Sequence, residues 1–178
     1  MNQSGVTLIE MLVVLMIIGI LAGVVSYVNL DSPDFNRATT DLLSTLQKTR
    51  FEAVRQNRPV VLSFVVSDTA SAVQAFVDLN DNGVRDYLDT DGNGLQDVGE
   101  PSDSALGGWT SAEYRGGVSL SSAAFGGGLS PGFSWQPDGT PSTAGGSGGQ
   151  GEVALTNRQG KRRAVTLSGA GLLSSVAR

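Results

Sequence analysis

The sequence predicts an α+β chain, with a long helical N-terminal region followed by an antiparallel sheet. Residues 11–30, MLVVLMIIGILAGVVSYVNL, carry no charge. Residues 35–57 repeat apolar side chains at helical spacing. From residue 59 onward short β-branched runs alternate with Gly and Pro. The 178 residues suit one domain plus a terminal element.

The uncharged run is 20 residues long. As a helix it would extend about 30 Å, the thickness of a hydrocarbon core. A secretory signal peptide would need a basic start, a shorter apolar core and a small-residue cleavage site. The first five residues, MNQSG, hold no Lys or Arg, and no such site follows the run. A single-pass membrane helix is therefore expected. Glu10, at the edge of the run, is costly to place in lipid unless it lies at the interface or meets a cation. A neighbouring copy's α-amino group would supply one.

Asp31-Ser32-Pro33-Asp34 marks the exit from the apolar run. FNRATTDLLSTLQKTRFEAVRQN (35–57) then reads as an amphipathic helix. Ala38, Leu42, Leu46, Thr49, Ala53 and Val54 form its inward stripe, and Asn57-Arg58-Pro59 stops it. Strands are expected at 59–66 and 72–78, paired as a hairpin, and at 117–121, 133–136, 152–156 and 164–168. GTPSTAGGSGGQG (139–151) reads as a flexible surface loop.

The absence of Cys and His removes disulfides, thiolate chemistry, imidazole bases and His metal ligands. No nucleophile–base constellation stands out, so no enzyme activity is expected. Charge is unevenly placed. Residues 78–103 hold eight acids against Arg85, whereas residues 104–178 hold six bases against three acids.

The acidic stretch carries the pattern of a calcium loop. Asp89, Asp91, Asn93, the Leu95 carbonyl, Asp97 and Glu100 stand at loop positions one, three, five, seven, nine and twelve, with Gly94 at the sharp turn. An overlapping copy begins with Asp78, Asn80 and Asn82 and ends on Asp89. A structural Ca²⁺ would order the loop. The alternative is a solvated turn in which Asp, Asn and Gly serve backbone geometry. The basic segment NRQGKRR places Arg158, Lys161, Arg162 and Arg163 at a turn between strands. It reads either as a solvated hairpin turn or as a weak, salt-sensitive contact for DNA phosphates.

Gly5-Val6-Thr7-Leu8-Ile9-Glu10 resembles the processing site of type IV pilins and type II secretion pseudopilins, with Val6 where Phe is usual. The resemblance implies that prepilin peptidase cuts after Gly5, that Val6 is then N-methylated, and that Glu10 pairs with a neighbouring subunit's N-terminus. LLSTLQKTRFEAVRQNRPVVLSF is similar to the helix-to-strand junction of GspH/FimT-type minor pilins and pseudopilins, matching at Leu42, Leu46, Arg50, Glu52, Ala53, Asn57, Pro59 and Val60. A type IV pilin-like fold is implied, with residues 1–5 as leader, 6–30 as transmembrane assembly helix and 31–178 as globular domain. So are other pilin or pseudopilin subunits as partners. The implied location is the inner membrane, with the C-terminal domain in the periplasm or on a surface filament. The resemblance also raises DNA uptake through the basic residues. A calcium-binding surface protein that is anchored but never polymerises is the remaining alternative.

Overall fold

The computed structural model describes residues 8–27, 31–86, 100–126, 132–143 and 148–177. Two helices come first. α1 (Leu8–Tyr27) is 20 residues long, about 30 Å of helix. Its described side chains, from Leu8 to Leu21, are all exposed. They cover about 21 Å, and among the described residues no helix is long and apolar enough to cross a membrane.

α2 (Asp31–Gln56) is amphipathic. Pro33 lies in its first turn, where the missing N–H costs nothing. Ala38, Leu42, Leu46, Thr49 and Ala53 are buried as the period predicts, and Phe35 and Thr39 extend the stripe. Val54 is the exception. It is half exposed, because the period carries position 54 past the edge of the buried arc. The helix ends at Asn57, whose positive φ of 51° turns the chain into β1.

Among the described residues, nine strands form two antiparallel sheets. One has the order β3-β2-β1-β5-β6, made of Ser104–Thr110, Ala72–Val77, Val60–Val65, Gly132–Trp135 and Pro141–Ser142. The other has the order β4-β7-β8-β9, made of Ser119–Phe125, Gly151–Thr156, Arg162–Leu167 and Leu173–Ala177. β1 and β2 pair as the expected hairpin, Val60 opposite Val77 and Val65 opposite Ala72.

Elsewhere the strands depart from expectation. β3 and β9 were not foreseen, and β4 begins at Ser119 and runs on to Phe125. The segment 139–151 is not simply a loop. Pro141 and Ser142 pair with β5, Ser142 bridges Gly148, and Pro141 and Thr143 are buried. A tight turn allows this: the Gly139 amide donates to the Gln136 carbonyl and the Gln136 amide to the Thr140 carbonyl.

Both inner sheet faces and the α2 stripe share one core. An aromatic run joins the sheets across it. Phe125 of β4 lies 5.1 Å from Phe64 of β1 and 4.7 Å from Phe133 of β5, and Phe133 meets Trp135 edge-on at 5.1 Å.

Candidate functional site

Three sequence features compete for function, and α2 orders two of them in space. The first is the N-terminal motif. Gly5 and Val6 lie outside the described residues. Glu10 is exposed in the first turn of α1, where a carboxylate favours the helix dipole.

The second feature, the acidic turn, sits at the C-terminal end of α2. The Arg58 guanidinium donates to the Leu79 carbonyl at 3.1 Å, and the Asp78 amide donates to the Pro59 carbonyl at 3.0 Å. Asp78, only 2% exposed, is the hub. Its Oδ2 accepts from the Gly83 amide at 2.7 Å and its Oδ1 from the Asn80 amide at 3.2 Å. Asn80 Oδ1 in turn accepts from the Asn82 amide, and Asn82 Oδ1 from the Val84 amide at 2.7 Å. Gly83 takes a φ of 77°, as the sharp turn requires.

Two acids not singled out from sequence complete this turn. Asp86 accepts from both side-chain amides, Asn80 Nδ2 at 3.1 Å and Asn82 Nδ2 at 2.7 Å. Asp103, 5% exposed, accepts from the backbone amides of Leu79 and Asp86 at 3.0 Å each. Asp89, Asp91, Asn93, Leu95 and Asp97 lie outside the described residues. Glu100 is partly buried at the return of the chain. Among the described residues no three acids come together in a metal-holding group. A groove of about 580 Å³ runs beside the turn, bounded by Asp78, Asp81 and the outer faces of β1 and β5.

The third feature, the basic turn, is linked to the first half of α2. Trp109 Nε1 donates to the Ala38 carbonyl at 3.0 Å and the Tyr114 hydroxyl donates to Asp41 Oδ2 at 3.0 Å. Arg37 lies 5.9 Å over the Tyr114 ring. Burial, then the bond to Asp41, pushes the Tyr114 phenol well above its ordinary value of 10.0. Two residues on, the Gly116 carbonyl accepts the Arg158 amide at 3.2 Å. The Arg158 stem fills the space a side chain at Gly117 would need.

Within the β7–β8 turn, buried Asn157 accepts the amides of Gln159 at 3.1 Å and Lys161 at 3.0 Å. Arg158, Lys161 and Arg162 are exposed and Arg163 is half-buried, all in or beside this one turn. Exposed Arg115 precedes Gly116, whose carbonyl bonds the Arg158 amide. A shallow depression of about 270 Å³ separates Arg162 and Arg163 from Glu152 and Ser122.

An apolar helix bearing a lone acid, then an amphipathic helix packed on antiparallel strands, is the plan of a pilin-type subunit. Comparison with known proteins narrows this. Residues 1–26 match the prokaryotic N-terminal methylation motif, and residues 38–171 match the type II transport protein GspH. The chain belongs to the GspH family of type II transport proteins. Among solved structures it is similar to the minor pseudopilin EpsH from the type 2 secretion system of Vibrio cholerae. Identity is 13% and the TM-score 0.46, over 79% of this chain and 94% of that chain. No curated protein matches the chain.

Proposed function

We propose that this pseudopilin is anchored in the inner membrane by residues 6–30, cut after Gly5 by prepilin peptidase, and N-methylated on Val6. It then joins a type II secretion pseudopilus or type IV pilus beside other pilin-type subunits, with the domain from residue 31 onward outside the cytoplasm. Glu10 carries this reading. It is an acid in the first turn of a helix whose described side chains are exposed and otherwise almost wholly apolar. Such a group is explained by a cation that arrives with a neighbour, the methylated amine of Val6. The role is structural, performed by packing and pairing rather than by catalysis.

Intact mass of the protein purified from its native membrane tests the reading. Loss of residues 1–5 with gain of one methyl group is expected. Retention of those residues in cells with active prepilin peptidase would overturn it and leave a simple anchored domain.

The acidic loop supports a further part of the reading, a structural Ca²⁺ held by residues 78–100. Asp78, Asn80 and Asn82 already stand in a chained turn around Gly83, with oxygens at alternate positions as a calcium loop requires. The ion would bind Asp78 and Asp89 among others and offset the eight clustered acids. A rise in melting temperature with Ca²⁺ but not Mg²⁺, lost in Asp89→Asn, is expected. An unchanged melt would leave the turn a purely backbone device.

A further inference from the structure

Following α2 from its start to its end separates the charges of the domain. The acidic turn is tied to the helix end through Arg58 and Pro59. The basic turn is tied to the first half of the helix through Tyr114, Asp41 and the Gly116 carbonyl. The strands agree. β8 climbs from Arg162 in the basic turn to Leu167, and the β8–β9 turn beyond it meets Arg50, farther along α2, through the Gly171 carbonyl at 2.8 Å.

The start of α2 is also where α1 ends. Tyr27 closes α1 and Asp31 opens α2. Four residues reach at most about 14 Å. Asp41, at the level of Tyr114, lies about 15 Å further along the helix. The basic cluster therefore occupies the pole of the domain nearest the anchor, within a short lean of any surface at the end of α1. Arg115, Arg158, Lys161 and Arg162 are exposed there, and Arg163 half so. Acids are present too: Glu113 is exposed, Asp34 half-buried, Asp41 is engaged by Tyr114 and Arg37, and half-buried Glu152 shares a depression with Arg162 and Arg163.

We propose that this pole is a docking surface for anionic phospholipid headgroups, holding the unassembled subunit against the bilayer. The inference rests on the anchor reading above. A lipid surface fits better than nucleic acid on two counts. The cluster faces the end of the chain that would enter the membrane. It also lacks exposed aromatic rings for bases to stack on, since Tyr114 is buried beneath Arg37. Headgroup phosphates ask only for a cluster of cations near the surface.

The full chain contains no cysteine, so single-cysteine labelling is clean. Gln159→Cys in the basic turn and Val84→Cys in the acidic turn, both exposed, would carry a fluorophore. The protein is placed in nanodiscs of phosphatidylcholine, or of an equal mixture with phosphatidylglycerol, each doped with a headgroup nitroxide. Quenching at position 159 only in the phosphatidylglycerol discs is expected, with none at position 84. It should vanish in 1 M salt, where the Debye length falls to about 3 Å, and in K161E/R162E/R163E.

Equal quenching at position 159 in both discs, or none in either, would overturn the proposal. So would salt-sensitive binding of a duplex DNA fragment without lipid quenching, which would make the turn a nucleic-acid surface. A chain that fails to co-elute with the discs would overturn the anchor reading first, and this inference with it.

Discussion

The two helices of this GspH-family chain solve opposite problems. Apart from Glu10, the described side chains of α1 are apolar, and none is buried within the chain. α2 is polar on average, yet buries one continuous stripe from Phe35 to Ala53. The domain is held together by α2 and the sheets, while α1 presents surface for something outside the chain. Stability should therefore respond to α2 and ignore α1, whereas assembly should respond to α1.

The sharpest break is in the core. Leu42→Ala or Leu46→Ala removes a side chain with at most 2% exposure and should cost about 2–5 kcal/mol in urea unfolding. Ile17→Ala, 52% exposed on α1, should leave the unfolding of the domain within about 0.5 kcal/mol. A comparable loss at both positions would erase the contrast.

Next comes the strut that ties α2 to the last hairpin. Arg50 donates to the Gly171 carbonyl at 2.8 Å and lies 5.5 Å over Trp135. Gly171→Ala would place a Cβ 3.0 Å from the Arg50 guanidinium carbon, at a φ of 78°. A loss of about 1–2 kcal/mol is expected, with faster amide exchange in β8, β9 and the β5–β6 turn, whose Gly139 carbonyl the new Cβ would meet at 2.7 Å.

Tyr114→Phe removes the hydroxyl bond to Asp41 and should cost about 0.5–1.5 kcal/mol at neutral pH. It also has a pH signature. The folded phenol titrates above its ordinary value of 10.0, so its contribution is complete below that value and fades as pH rises through the folded one. The wild type should lose stability above pH 10 by an increment that the Phe variant lacks.

The smallest effect is on the outer face of α2. Arg55, then Gln56, holds the Glu52 carboxyl down to about 2 through hydrogen bonds. That contribution is present above the ordinary value of 4.5 and lost as pH falls toward 2. The pair is solvent-screened, so E52Q should change the neutral melt hardly at all and only soften its acid limb.

The sequence made α2 legible because five stripe positions recur at one period, and failed at Val54, where the stripe ends. β1, β2, β5, β7 and β8 were legible from their β-branched and aromatic residues. β3, SALGGWT, was not. Its two adjacent glycines read as a breaker, yet Gly108 is there because a Cβ would stand 1.9 Å from the Val73 carbonyl oxygen. Close strand approach overrides local propensity at such a site.

Among the site residues, the cations of the basic turn were found by charge alone. Asp78 and Asn157 were harder to judge, since polar residues in turns read as solvated, whereas both are buried acceptors of backbone amides. The usable signal was an Asp or Asn two residues before the amide it accepts. Asp103 lacked even that, because its partners lie 17 and 24 positions away.

The Arg50–Gly171 bond joins positions 121 apart. It fixes a timetable as well as a shape. α2 precedes the turn before β9 by most of the domain, so this strut forms only when a long loop of chain has closed. The stripe of α2 can meet β1 and β3 first, but the contacts with β8 and β9 come only after that long separation in sequence is closed.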